Sequence, residues 1–136
     1  MSASEHNFTE DVLKSGEALD GFTADGAISA RKAVTVNGDK QVTQVSSAGS
    51  SMRGVAVYDV AAGEELPVAA DGCEVLVEVG GSGATAGNPA TTDADGNFVD
   101  AGGDTSGDLV VGTFDEGGSD GDLVRLYIDT VPGLPQ

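Results

Sequence analysis

Cys73-Glu-Val-Leu-Val-Glu-Val79 sets the period of the chain. Cys73, Val75, Val77 and Val79 fall on one face and Glu74, Leu76 and Glu78 on the other, the alternation of a strand with one dry and one mostly wet side. Gly80-Gly-Ser-Gly83 ends it. Toward the N-terminus, Leu66 and Val68 mark a strand that Pro67 assigns to a sheet edge, because proline cannot donate to a ladder. Val55, Val57 and Tyr58 mark another after Gly54. Val34 and Val36 alternate with Thr35, and Asn37-Gly38 is the strongest short hairpin signal. The return strand runs through Val42 and Val45, whose unequal spacing predicts a bulge.

Toward the C-terminus, Asp95-Gly96-Asn97 predicts a turn between Ala90-Thr-Thr92 and Phe98-Val99. Leu109 to Phe114 and Leu123 to Ile128 are expected to pair across the acidic loop Asp115 to Gly121. Gly107-Asp-Leu-Val110 and Gly121-Asp-Leu-Val124 share a phrase, but one too short to imply duplication. After residue 22 no stretch sustains a helical period. The expected fold is all-β: a small sandwich or partly closed barrel of eight to ten short antiparallel strands over residues 23–130. An extended N-terminal arm, residues 1–22, precedes it and a tail, 131–136, follows.

The 136 residues suit one domain of ordinary size. Aromatic residues make up only 4% and Trp is absent, so the core must be built from Val, Leu and Ala. Six Lys and Arg face 23 Asp and Glu, a formal net charge of -17. At ~0.1 M salt such charges repel over roughly 10 Å, whereas at ~1 M the range falls to about 3 Å. The composition therefore suits a protein made and used in molar salt. Lys14, Arg31, Lys32, Lys40, Arg53 and Arg125 are scattered except for one adjacent pair, which argues against nucleic acid as a partner. No segment has the ~20 apolar residues of a membrane span, and residues 1–11 have no signal-peptide pattern.

Chemistry is sparse. His6, the sole histidine, lies in the arm, so a Ser-His-Asp arrangement has no base within the domain. Lone Cys73 sits in an apolar run and reads as a buried thiol, and no Cys or His cluster has zinc spacing. Gly80 to Gly87 lacks the Lys-Ser/Thr ending of a phosphate-cradling loop. Asp93-Ala-Asp95-Gly96-Asn97 begins like a calcium loop, but Phe98 stands where glycine should and no Glu closes it, so it reads as a hairpin turn. The Asp cluster over residues 100–122 reads as a hydrated face. Asn7-Phe-Thr9 is a glycosylation sequon of the kind that chance supplies often. No catalytic residue, cofactor or metal site is expected, and the chain is not expected to be an enzyme.

The stretch Gly54-Val-Ala-Val-Tyr-Asp-Val-Ala-Ala-Gly63-Glu-Glu-Leu-Pro-Val68, with Asp71-Gly72 and Val75-Leu-Val-Glu-Val79, resembles the small head decoration, or capsid cement, proteins of tailed viruses. Thr85-Ala-Gly-Asn-Pro89 to Gly96, then Val111-Gly112 and Gly121-Asp-Leu-Val-Arg-Leu126, continue the resemblance in order over roughly residues 22–129. The acidic loop from Gly102 to Gly107 departs from it, and the arm has no counterpart.

The resemblance implies a virion component on the outer surface of the capsid, made in the host cytoplasm, with the major capsid protein and copies of itself as partners, commonly as a homotrimer. With the charge, it points to a haloarchaeal virus. The alternative is a virion turret or surface module that recognises a host receptor or glycan. Phe8, Val12, Leu13, Leu19 and Phe22 are the expected capsid or subunit contacts, because the arm is too irregular for a self-supporting helix yet too apolar for an idle tail. The charge yields a first prediction. The thermal midpoint followed by circular dichroism should rise between ~0.1 M and ~2 M KCl as screening tightens, and an unchanged midpoint would remove the halophilic reading.

Overall fold

Strands of alternating small apolar residues bury one face each, and two layers of them share the described core. The computed structural model describes residues 12–14, 20–101 and 109–130. Among these residues there are eleven strands and no helix. They are β1 (Val12–Lys14), β2 (Asp20–Ala24), β3 (Ala33–Gly38), β4 (Gln41–Gln44), β5 (Gly54–Ala56), β6 (Glu65–Ala69), β7 (Glu74–Glu78), β8 (Pro89–Thr92), β9 (Phe98–Asp100), β10 (Gly112–Phe114) and β11 (Leu123–Ile128). Five of them close a barrel in the order β2-β4-β3-β5-β6, and the other six form a sheet in the order β1-β7-β11-β10-β8-β9. The all-β reading holds.

The second half repeats the first strand for strand. In each, the first strand pairs antiparallel with the fifth: β2 with β6, and β7 with β11. The second pairs with both the third and the fourth: β3 with β4 and β5, and β8 with β9 and β10. The fourth pairs with the fifth in both halves. The third meets the first in parallel, Val42 beside Ala24 in the closed barrel and Phe98 beside Val79 at the end of the sheet. That last bridge curls the sheet into a second, partly closed barrel. Equivalent positions lie 55 to 58 residues apart, as Ala24 to Val79, Val34 to Ala90 and Gly54 to Gly112. Even the bridge between loops recurs, Ile28 with Val60 and Ala84 with Gly118. The duplication is real, although the phrase shared by Gly107 and Gly121 is not its signature.

Each barrel is filled by the same positions with different residues. Phe22, Val42, Ala56, Leu66 and Val68 line the first, and Val77, Phe98, Phe114, Val124 and Leu126 occupy their places in the second. Aromatic volume has moved from β2 to β9 and β10, while the interior stays packed.

The halves differ in what lies on the outer wall. Ala33, Val55 and Ala69 stand side by side across β3, β5 and β6 and are all buried, together with Val45 and Val57. They belong to the same apolar cluster as the interior of the second barrel. The wall of the first barrel thus packs against the second, and β5 is buried on both faces.

Several local expectations change. Val42 and Val45 face different cores, Val42 the barrel interior and Val45 the joint between barrels, so their odd spacing reflects two buried faces. The irregularity lies instead between Val36 and Gly38. The β3–β4 turn is made by Asp39 and Lys40, with Lys40 at φ 51°, and Asn37-Gly38 belongs to β3. Pro67 is not at an edge, since β6 is flanked by β2 and β5. Its carbonyl accepts from Val57 N–H, so its ring nitrogen faces the chain beyond the end of β5, where no ladder donor is required.

Gly54 and Gly112 are equivalent, and both are held to glycine by the neighbouring strand. A Cβ at Gly54 would lie 2.2 Å from the Ala69 carbonyl oxygen, and one at Gly112 would lie 2.2 Å from that of Tyr127. Gly54→Ala and Gly112→Ala should each cost about 1–3 kcal/mol, as overpacking does. Gly21→Ala, with nothing within 4 Å of its Cβ, should stay within about 0.5 kcal/mol. Urea midpoints of the three variants check the ranking.

Candidate interaction surfaces

Two surfaces stand out once the barrels are superposed on one another. The first is the end of the first barrel at the β3–β4 turn. Here Lys40 Nζ lies 4.3 Å and the Arg53 guanidinium 5.4 Å from the centroid of Phe22, whose ring is 6% exposed. Both distances are in the range of cation–π attraction. Val36, at the tip of β3, is 48% exposed.

The second surface is the wall of the second barrel, equivalent to the buried wall of the first. Pro89, Thr113 and Tyr127 form its central row and Glu74 extends it. Tyr127 is 42% exposed where Ala69 is fully buried. Leu123, 49% exposed, and Arg125 share this face, and Arg125 Nε lies 3.8 Å from Glu116.

Between the barrels the joint carries polar links around its apolar centre. Ala33 N–H donates to the Gly96 carbonyl at 2.9 Å, Gly49 N–H to that of Thr92 at 2.9 Å, and the Gln44 side-chain amide to that of Asp95 at 3.1 Å. Lys32 Nζ donates to Asn97 Oδ1 and lies 3.9 Å from Glu78. The turn of the second barrel is therefore seated against the wall of the first. At the linker, Asp71 Oδ1 accepts from both the backbone N–H and the hydroxyl of Thr130, at 2.7 Å each.

No family model matches the chain, and no curated protein sequence matches it. Among solved structures it is similar to the N base of the head fibre protein gp8.5 of bacteriophage phi29. The TM-score is 0.62 at 23% identity, over 82% of this chain and 92% of that one. Neither barrel alone fills so large a share, so the likeness in fold spans both.

The expected contact residues are dispersed. Phe22 belongs to the interior of the first barrel, not to an arm, because β2 begins at Asp20 and packs the ring under Lys40 and Arg53. Val12 and Leu13 fall in β1, which adds to β7 of the same chain next to Val75 and Glu74. Phe8 and Leu19 lie outside the described residues, as do His6 and the Asn7 sequon. Lys40 and Tyr127 were not singled out in the sequence, since neither belongs to a motif.

Among the described residues no group of three or more His, Cys, Asp or Glu side chains gathers as metal ligands. Cys73 is buried. Asp93 does local work instead: its Oδ1 accepts from the backbone N–H groups of Asp95 and Asn97 at 2.8 and 2.9 Å, fixing the hairpin turn. Asp93→Ala should lower stability by about 1–2 kcal/mol, the effect of losing charge-assisted local hydrogen bonds. The midpoint of the intact protein should not move on adding calcium up to ~1 mM in high salt. Melting curves with calcium or with chelator read both outcomes.

Proposed function

We propose that the chain is a non-enzymatic structural protein of a viral head, bound to the outside of the assembled capsid and stabilising it. The observation that carries this reading is the likeness of both barrels together to the base of a head fibre. The resemblance of Gly54 to Val79 and of Thr85 to Leu126 to decoration proteins supports it from the sequence side. The molecule also has the physical means: a rigid pair of short-stranded barrels, few mobile polar groups in its joint, and exposed patches at two ends. Contacts repeated over many copies can each be modest and still hold a shell together. Its partners are the major capsid protein and further copies of itself, the latter as a homotrimer. The charge of -17 suits a virus whose host lives in molar salt.

A base for a longer head fibre is a second reading, favoured by what the similar phage structure is called. A glycan-binding turret has less support. Such sites stack sugars on exposed aromatic rings, and Phe22, Phe98 and Phe114 are buried while Tyr58 packs against both cores. Tyr127 is the exposed aromatic side chain among the described residues. Mass spectrometry and cryo-electron microscopy of purified virions should find the protein in fixed ratio to the major shell protein, with density on the outer surface. Its absence from virions would overturn the reading, and density continuing into a fibre would select the second.

A further inference from the structure

The contact between the two barrels is head to tail: the wall of one closes the turn end of the next. Within the chain it is made once. That leaves one unused surface of each kind, the turn end of the first barrel and the wall of the second. We infer that a second copy of this chain supplies the partner for each, so that the first barrel's turn end of one copy docks on the second barrel's wall of the next. This deepens the self-association proposed above by naming its two surfaces.

Equivalent positions mark the unused turn end. Val36 is 48% exposed, whereas Thr92 in the same place in the second barrel is 1% exposed beneath the first barrel's Gly49 loop. Arg53 stands where Val111 is buried. Lys40 stands where Gly96 is seated against Gln44, a Cβ there lying 3.2 Å from Gln44 Cγ. A lysine cannot repeat that backbone approach, so the contact between copies must run through its charge.

The unused wall is built to receive charge. Val57 of the buried wall is replaced by exposed Asp115, Val55 by Thr113 and Ala69 by Tyr127, with Glu74 and Glu116 beside them. The same division runs through the whole sequence. Residues 20–70 hold four of the six cations and six of the 23 carboxylates, while residues 71–130 hold one cation and thirteen carboxylates. The two unused surfaces thus meet with opposite sign, which fixes register and rejects like-to-like pairing. A head-to-tail contact closes into a ring when its rotation allows, which gives a trimer its simplest construction. At ~1 M salt the repulsion of two acidic chains is screened beyond about 3 Å, while ion pairs in direct contact persist.

Sedimentation of the full chain in ~1 M KCl at up to ~100 µM tests this, since contacts weaker than that are too weak to count as specific. The intact chain should form oligomers. Lys40→Glu with Arg53→Glu on the turn end, or Asp115→Lys with Tyr127→Ala on the wall, should each weaken association at least tenfold. An equimolar mixture of the two variants should form dimers and stop there, because each dimer keeps one spoiled surface at either end. Val36→Glu, at an exposed position, replaces the turn-end pair if circular dichroism shows that variant unfolded. A monomeric intact chain, or oligomers that survive both variants, would overturn the inference. These outcomes are read on free protein, so they are separate from whether the chain is found on heads.

Discussion

The packing of the first barrel's wall on the second barrel is the contact on which the rest of the architecture depends. Its central row, Ala33, Val55 and Ala69, lies across three adjacent strands and is withdrawn from water. Val45 and Val57 flank it. Each fully buried valine contributes about 1.5–3 kcal/mol of apolar transfer, and the small side chains let two sheets approach closely. A barrel of five strands, each three to six residues long, encloses too little on its own; two of them sharing a joint bury more surface per residue. That explains how a chain with 4% aromatic residues reaches a packed interior without Trp.

The joint also explains the divergence of the two halves. Equivalent positions have kept what the barrel needs inside and changed what each half shows outside. Gly54 and Gly112 are retained because the next strand's carbonyl occupies the space of a Cβ. Phe and Val have exchanged places within the interiors, since total volume matters more than the identity of any one residue. On the outer walls no such constraint is shared. One wall is covered and apolar; the other faces solvent and carries Thr113, Asp115 and Tyr127.

Charge follows the same partition. The six cations, scattered along the sequence, place four of their number in the first barrel and one, Arg125, in the second. Lys32 serves the joint, and Lys40 and Arg53 cover Phe22. The excess of carboxylates therefore belongs mainly to the second barrel, which gives the molecule a polarity that its net charge conceals. A virion protein with one strongly hydrated end and one nearly neutral end has a built-in distinction between the side that meets solvent and the side that meets protein.

Much of this was legible in the residues. The alternation at Cys73 to Val79 gives a strand with one buried face, and the structure buries those four side chains. The turn at Asp95 to Asn97, the pairing of β10 with β11 and the buried thiol follow from local chemistry alone, because turn residues and two-residue periodicity act over a few bonds. The duplication was not legible, since matching positions conserve only inward direction and a few glycines, and inward direction is defined by the closed barrel. Nor could periodicity separate Val42 from Val45, for both are buried and only the tertiary structure provides two different cores to bury them in. Pro67 reads as an edge residue in isolation, yet barrel closure leaves its ring nitrogen facing the chain past a strand's end. Phe22 reads as part of an arm because the residues before it are polar, and β2 draws it inside. The sequence by itself determined strands, turns and net charge, which are local or additive; which wall is covered, which end stays open and where the cations gather were decided by how two barrels pack, a long-range choice that no short window encodes.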